Sequence, residues 1–272
     1  MGVVNVTPDS FSDGGRFLDP GAAVEHGRRL AAEGAEMLDV GGESTRPGSA
    51  GVPAEEELRR VLPVVEELAA AGVTVSIDTS KAAVADAALD AGAAYVNDVT
   101  AFRGDPDLAA LVASRGVPCC LMHMLGTPRT MQDDPRYDDV VSEVKAFLEQ
   151  RLAFAVAEGV AEERVMLDPG IGFGKTLDHN LELLARLDEI AALGRPVVVG
   201  VSRKSFLGRI TGREAAERAV ATAAANVLAL ERGASVFRVH DVAETRDALA
   251  VAAATLAGRW PVTTPRTTTT TT

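Results

Sequence analysis

The chain has 272 residues, 47% hydrophobic and 24% charged, ordinary globular proportions that allow a sizeable core in one or two domains. A formal charge of −12 and a sequence pI of about 4.9 repel phosphate backbones and anionic lipid heads, which argues against nucleic-acid and membrane-surface binding. The two cysteines, Cys119 and Cys120, are adjacent, so they supply neither a disulfide framework nor metal-ligand spacing; the expectation is a reducing compartment, the cytoplasm.

The opening MGVVNVTPDSF has no basic n-region and no apolar h-region. Gly2 lacks the Ser or Thr at position 6 that myristoylation needs, since Val6 stands there. From this point a short Val/Ile/Leu-rich run alternates with an Ala-rich amphipathic stretch. Strands are predicted over residues 2–6, 36–40, 73–78, 94–98, 118–122, 165–168, 196–201 and 235–240. Helices are predicted over 21–33, 54–71, 82–91, 106–114, 138–158, 181–193, 214–231 and 243–256. With only 4% aromatic residues, the core must rest on Ala, Val and Leu.

Eight strand–helix units predict an α/β fold, a closed (β/α)8 TIM barrel, as one domain over residues 1–258. An open doubly wound sheet is the rival architecture. Gly34, Gly72, Gly92, Gly116, Gly159, Gly194 and Gly233 each fall just past a predicted helix, the position that takes a left-handed backbone. Asp19 and Pro20 mark the first helix start, and Asp241 with Glu244 resembles a capping box after the eighth strand. Residues 259–272, ending in a run of threonines, are expected to be disordered.

In such a barrel the site lies at the C-terminal strand ends. Those ends carry Asn5, Asp39, Asp78, Asn97, Asp98, Met122, His123, Asp168, Ser202, Arg238 and His240. Period-two parity lets Asp78, Asn97 and Asp168 converge on one interior point. Two carboxylates and an amide suit a flat heterocycle presenting several N–H groups, although helix capping would also explain them. Arg203, Lys204, Arg238 and His240 form a cationic wall after strands seven and eight, where barrels commonly bind phosphate. The alternative for Arg238 is a salt bridge to Asp241 or Asp168.

Two loops, residues 7–15 and 41–49, are rich in Gly, Ser, Asp and Pro and look able to close over a ligand. Asn5 and Asp13 offer hard oxygen atoms for Mg²⁺ shared with a diphosphate, and a plain turn is the competing explanation. The run Gly170–Thr176 imitates a phosphate-binding loop, but Pro169 occupies the position of its first glycine. It is expected instead to approach a flat ligand closely, with Phe173 available to stack.

The motifs NVTPDSFSDGG (5–15), GGESTRPG (41–48), IDTSK (77–81), YVNDV (95–99), LMHMLGTPRTMQ (121–132), LDPGIGFGKT (167–176), VSRKSFLG (201–208) and RVHDV (238–242) together resemble the dihydropteroate synthases, over the chain to about residue 256. The resemblance implies a condensation of a 6-hydroxymethyl-7,8-dihydropterin diphosphate with 4-aminobenzoate to 7,8-dihydropteroate and pyrophosphate. It implies that Asp78, Asn97, Met122, Asp168, Phe173 and Lys204 hold the pterin, and that Thr45, Arg238, Val239 and His240 contact the diphosphate. Phe11, Arg46, Pro47, Phe173 and Ser202 would form the 4-aminobenzoate site, where sulfonamides compete. Asp78, Asp168, Lys204, Arg238 and His240 would carry the catalysis, with Mg²⁺ on Asn5 and Asp13 and a homodimer as the assembly.

The resemblance also implies residues before the first strand that floor the barrel; either Met1 is not the authentic start or the barrel closes less well here, which bears on stability more than on chemistry. Two other readings stay open. A barrel domain transferring a methyl group from a pterin would share the Asp/Asn wall but need neither the diphosphate cations nor the 4-aminobenzoate loop. A non-catalytic paralogue would share the fold, though every matched position here is filled.

Overall fold

The structure, a computed structural model, describes residues 1–7, 20–46, 48–49 and 51–258. Eight parallel strands run in chain order: β1 (Gly2–Asn5), β2 (Leu38–Gly41), β3 (Val75–Asp78), β4 (Tyr95–Asp98), β5 (Cys119–Met122), β6 (Val165–Asp168), β7 (Val197–Val199) and β8 (Ala234–Phe237). A parallel bridge from Gly2 to Val239 brings the last strand back to the first. Val3 N donates to Val239 O at 3.0 Å, and Val239 N donates to Met1 O at 2.9 Å. The open doubly wound sheet is thereby excluded, and the fold is a (β/α)8 barrel.

The helices are α1 (Pro20–Ala32), α2 (Ala54–Ala70), α3 (Ala82–Asp90), α4 (Leu108–Arg115), α5 (Val140–Ala157), α6 (Leu177–Ala185), α7 (Leu187–Ala191), α8 (Ser205–Thr211), α9 (Ala219–Glu231) and α10 (Val242–Ala257). All seven interrupting glycines have positive φ, from 59° at Gly116 to 106° at Gly34. Each lets the chain leave its helix without the steric cost a Cβ would bring.

Alternation along the strands divides the core into layers. Val4, Val40, Ile77, Val96, Leu121, Leu167 and Val199 face outward and are buried beneath the helices. The inward set fills the barrel with Cys120, Met166 and Val198, packed with Tyr95 and Val236. Above these, Val99, Met122, Met124 and Met131 form a separate apolar group with Phe173. Inward-facing polarity is concentrated toward the strand ends, with Asp39 and Ser76 one level below them.

Several local expectations are corrected. The predicted helix over 181–193 is two helices, α6 and α7, parted at Arg186 (φ −114°, ψ 28°); that guanidinium is drawn to Asp139, Glu182 and Glu189. The additional α8 follows directly on Lys204. Asp241 does not cap α10 through its side chain, because Arg203 occupies its carboxylate (Nη2–Oδ1 2.5 Å). A capping box does form at Thr176 and His179, opening α6. The expectations for Phe11, Asp13, Asp19, Pro47 and residues 259–272 lie outside the described residues.

Candidate active site

Registration across the first four strands places Asn5, Gly41, Asp78 and Asn97 at one level. Across β5 and β6, Met122 stands beside Asp168. One level deeper, Asp39 is in register with Val3 and Ser76. Parity thus turns Asp39, Asp78, Asn97 and Asp168 toward the barrel interior, although they come from four strands.

Arg238, just past β8, reaches into this wall. Its Nε donates to Asp39 Oδ2 at 2.6 Å and its Nη2 to Asp78 Oδ2 at 2.9 Å. Asn97 Nδ2 donates to the same Asp39 oxygen at 2.9 Å. The alternative for Arg238, a salt bridge to Asp241 or Asp168, is corrected: its partners among the described residues are Asp39 and Asp78. Asp39 is fully buried, and its Oδ1 has no hydrogen-bond partner among the described residues. It is the functional residue the sequence motifs leave unassigned; its only signal was a charged residue in an otherwise apolar strand, LDVG.

One guanidinium faces two carboxylates, so one of them holds a proton cheaply. Burial, and next the charge of Asp39, push the Asp78 carboxyl up to about 8, against the pull of Arg238. Burial alone would lower the Arg238 pKa, but Asp39 and Asp78 more than offset it and the group stays charged. Asp168 is raised by burial; Lys204 and the Gly170 N–H, which donates to Oδ1 at 2.7 Å, oppose that.

Lys204 is the N-cap of α8. Its ammonium donates to Ile171 O and sits 4.6 Å from the Phe173 ring centre. Burial lowers it to about 8, with Asp168 holding it up and Arg238 pressing it down. Its position depends on Arg203, which has φ 58°. That strained residue is clamped by Asp241, by Thr222 Oγ1 on its N–H at 3.1 Å and by Arg218 on its carbonyl at 2.8 Å. Arg203, expected on the cationic wall, thus binds Asp241 and shapes the turn instead.

His240 completes the donor side. Burial, then Arg238, Arg203 and Arg46, push its pKa down to about 3. The Ser202 hydroxyl accepts from His240 N at 3.1 Å and lies 3.0 Å from Nδ1. Because that hydroxyl still has its own proton to give, a neutral ring accepts at Nδ1 and carries N–H at Nε2.

The loop after β6 brings Phe173 to the mouth in an unexpected way. Gly170, at φ 65°, lies against the His123 carbonyl, and a Cβ on Gly172 would be 2.9 Å from Lys204 Cδ. The close approach these glycines permit is to the protein itself. Lys175, unassigned by sequence, is 3% exposed. Its Nζ lies 2.9 Å from His123 Nδ1 and donates to Phe173 O at 2.9 Å. Burial lowers Lys175 well below the ordinary lysine value and, with Lys175 itself, lowers His123 to about 2.

Of the predicted residues, Asp78, Asn97, Met122, Asp168, Phe173, Ser202, Lys204, Arg238 and His240 lie at this barrel mouth, whereas Val239 is buried in the outward core layer at the seam with β1. Thr45 lines a small cavity with Asp78, Thr79 and Val99, and Arg46 is exposed. A larger depression of about 490 Å³, lined by Arg136, Tyr137 and His179, opens on the rim away from the carboxylates and contains no convergent buried charge.

The family model described as pterin binding enzyme matches residues 1–240. The dihydropteroate synthase of Escherichia coli (strain K12) is 46% identical over 260 residues, covering 95% of this chain and 92% of that protein. Among solved structures, Yersinia pestis dihydropteroate synthase with a sulfonamide drug complex superposes with a TM-score of 0.92 at 45% identity, covering 94% of each chain. The Xanthomonas albilineans dihydropteroate synthase in complex with 7,8-dihydropteroate gives a TM-score of 0.85 at 49% identity, covering 94% of this chain and 93% of that one. A buried carboxylate–amide wall facing Arg238, Lys204 and His240, within a barrel matched along almost its whole length, places this chain in the dihydropteroate synthase family of pterin binding enzymes.

Proposed function

We propose that this chain condenses (7,8-dihydropterin-6-yl)methyl diphosphate with 4-aminobenzoate, releasing pyrophosphate and 7,8-dihydropteroate. The observation that carries this is the composition of the mouth: hydrogen-bond acceptors of Asp78, Asn97 and Asp168 gathered beside the donors Arg238, Lys204 and His240. A pterin presents N–H groups to acceptors and a diphosphate presents oxygens to donors. Phe173 and the methionine group beside it offer the apolar face a flat ring needs.

In the step itself the bond from the pterin methylene carbon to the diphosphate oxygen breaks, and its electron pair leaves with the diphosphate. The amine nitrogen of 4-aminobenzoate donates its lone pair to that carbon and afterwards loses a proton to solvent. Asp168 favours the electron-poor pterin as the bond breaks, and Asp78, which keeps its proton below about pH 8, holds the ring by hydrogen bonding. Arg238 and the His240 Nε2–H bind the departing oxygens. Ser202 fixes the His240 ring, while Phe173, Ser202 and Arg46, with Phe11 and Pro47, hold the amine in line.

Magnesium is part of the proposal. Asn5 ends β1 at the level of Gly41 and Asp78 and offers a hard amide oxygen, the donor type Mg²⁺ accepts when substrate phosphates and water complete its shell. Among the described residues no group of three His, Cys, Asp or Glu could hold a metal alone, which fits an ion shared with the diphosphate on Asn5 and Asp13. Bound there, it would supply positive charge to the leaving group.

A homodimer and a cytoplasmic location complete the reading. The helix α10 is apolar along most of its length yet buries only Val242 and Thr245, and Val220, Leu228, Val251 and Leu256 are exposed on α9 and α10. A second copy of the chain is the partner that would cover them. Cys119 and Cys120 are free and buried, in keeping with a reducing compartment. No helix of the described residues is long and apolar enough to cross a membrane.

Pyrophosphate release from the pterin diphosphate, dependent on 4-aminobenzoate and Mg²⁺, tests the reaction. Methyl transfer from a methylated pterin without pyrophosphate, or pterin binding without turnover, would replace it by one of the two alternatives.

A further inference from the structure

The loop from Gly41 to Val52 carries Thr45 and Arg46, and its two ends are tied to each other by one side chain. Glu43 Oε2 accepts from Val52 N at 3.1 Å. Inside that closure Ser44 Oγ and Ser49 Oγ lie 3.0 Å apart, Ser49 N donates to Arg46 O at 3.0 Å, and Gly48 N donates to Pro128 O at 3.0 Å.

The same Glu43 oxygen is bound by Lys81 Nζ at 2.5 Å, and that ammonium also reaches Glu57 Oε2 at 2.5 Å. Lys81 is the N-cap of α3, directly after the strand that ends in Asp78. Glu57 projects from α2 and is fully buried, with its Oε1 unpartnered among the described residues. A buried carboxylate with half its acceptors unmet is costly. It persists where it fixes a partner in place, and here the partner is Lys81. The root of the loop is pressed on the same helix: Arg60 Nη1 donates to Gly42 O at 2.8 Å, and a Cβ on Gly42 would meet Val61 at 2.8 Å. Glu43, Thr45, Glu57, Asp78 and Lys81 line one cavity.

We propose that Glu43, Lys81 and Glu57 form a latch of positioning residues that holds Thr45 and Arg46 beside the Asp78 cavity and so sets the affinity for the second substrate, an aromatic amine carrying a carboxylate. None of the three touches the reacting atoms; each acts through the placement of Thr45 and Arg46. The latch rests on the reaction proposed above for its kinetic readout, and on amide exchange for a readout independent of it.

Glu43→Ala is the decisive variant, because it releases the loop while leaving the Lys81–Glu57 pair intact. Its KM for 4-aminobenzoate should rise about tenfold or more, with kcat and the dissociation constant for a pterin lacking the diphosphate held within about twofold. In the protein without substrates, the amides of Gly48, Ser49 and Val52 should exchange faster. Lys81→Arg should retain both readouts, and the double variant Lys81→Met with Glu57→Gln, which removes the buried charge together with its partner, should reproduce the KM rise. A lowered Tm with unchanged KM and unchanged exchange would overturn the latch and leave a structural salt bridge. Absence of turnover in the wild type would overturn the proposed reaction instead, and exchange at Val52 would still decide whether Glu43 holds the loop.

Discussion

Arg238 and Asp39 are 199 residues apart in the chain, and Nε of the first donates to Oδ2 of the second at 2.6 Å. The contact spans the barrel seam: β8 meets β1, and β2 lies beyond it. It therefore joins closure of the fold to the placement of the cation that faces the diphosphate. Asp39 also receives Asn97, so a single buried oxygen organises both walls of the mouth.

Asp39→Ala should lower the free energy of unfolding by about 3 kcal/mol, the low end for breaking a buried ion pair, since Asp78 still holds the other arm of Arg238. Turnover should fall with it, because Arg238 and Asn97 lose their common anchor. Urea denaturation alongside initial rates checks both; a loss below about 1 kcal/mol, the size of an exposed pair, would show that Asp39 is dispensable.

Asp168→Asn and Lys204→Ala act on chemistry rather than on the barrel. Each removes a charge that the proposed reaction uses as the pterin loses its leaving group. A charge-assisted hydrogen bond of about 1.5–3 kcal/mol corresponds to roughly a 10- to 100-fold loss in kcat/KM. Circular dichroism should stay that of the wild type. Near-normal kcat/KM in both variants would remove these residues from the site.

Much of this was written locally in the sequence. The seven glycines with positive φ each sit where a helix must stop, and period-two parity carried Asp78, Asn97 and Asp168 to one face. What escaped depends on partners distant in the chain. Nothing near Asp39 announces Arg238, and nothing near Arg186 announces Asp139, whose carboxylate helps to part α6 from α7. Lys175 was hidden differently: in GFGKT it imitates a phosphate-binding lysine, whereas it is buried against His123 and the Phe173 carbonyl. Arg203 shows the converse error, a cation read as a ligand contact that folding assigns to Asp241.

Burial lowers Lys204 to about 8, so its charge disappears as pH rises through that value. If the cation beside Asp168 and Phe173 is what the substrate requires, kcat/KM should show a falling limb near pH 8. Lys204→Arg keeps a cation at all accessible pH values. Its residual activity should lack that limb, and a limb in the same place would assign it to another group.

Asp78 provides the matching test on stability. Its carboxyl is raised to about 8 by burial and by Asp39, far above the ordinary aspartate value of 3.8 that it would approach on unfolding. Between those values the folded chain keeps a proton that the unfolded chain has released, so the stabilising contribution is complete below 3.8, declines as pH rises from there, and is gone once pH has passed through about 8. Asn at this position imitates the protonated acid and has nothing to lose. Wild type and Asp78→Asn should therefore unfold with similar free energies below the ordinary value of 3.8, and the wild type should fall progressively below the variant until about pH 8 and keep a constant distance above it. A difference that stays constant across that range would mean that Arg238 keeps Asp78 ionised throughout.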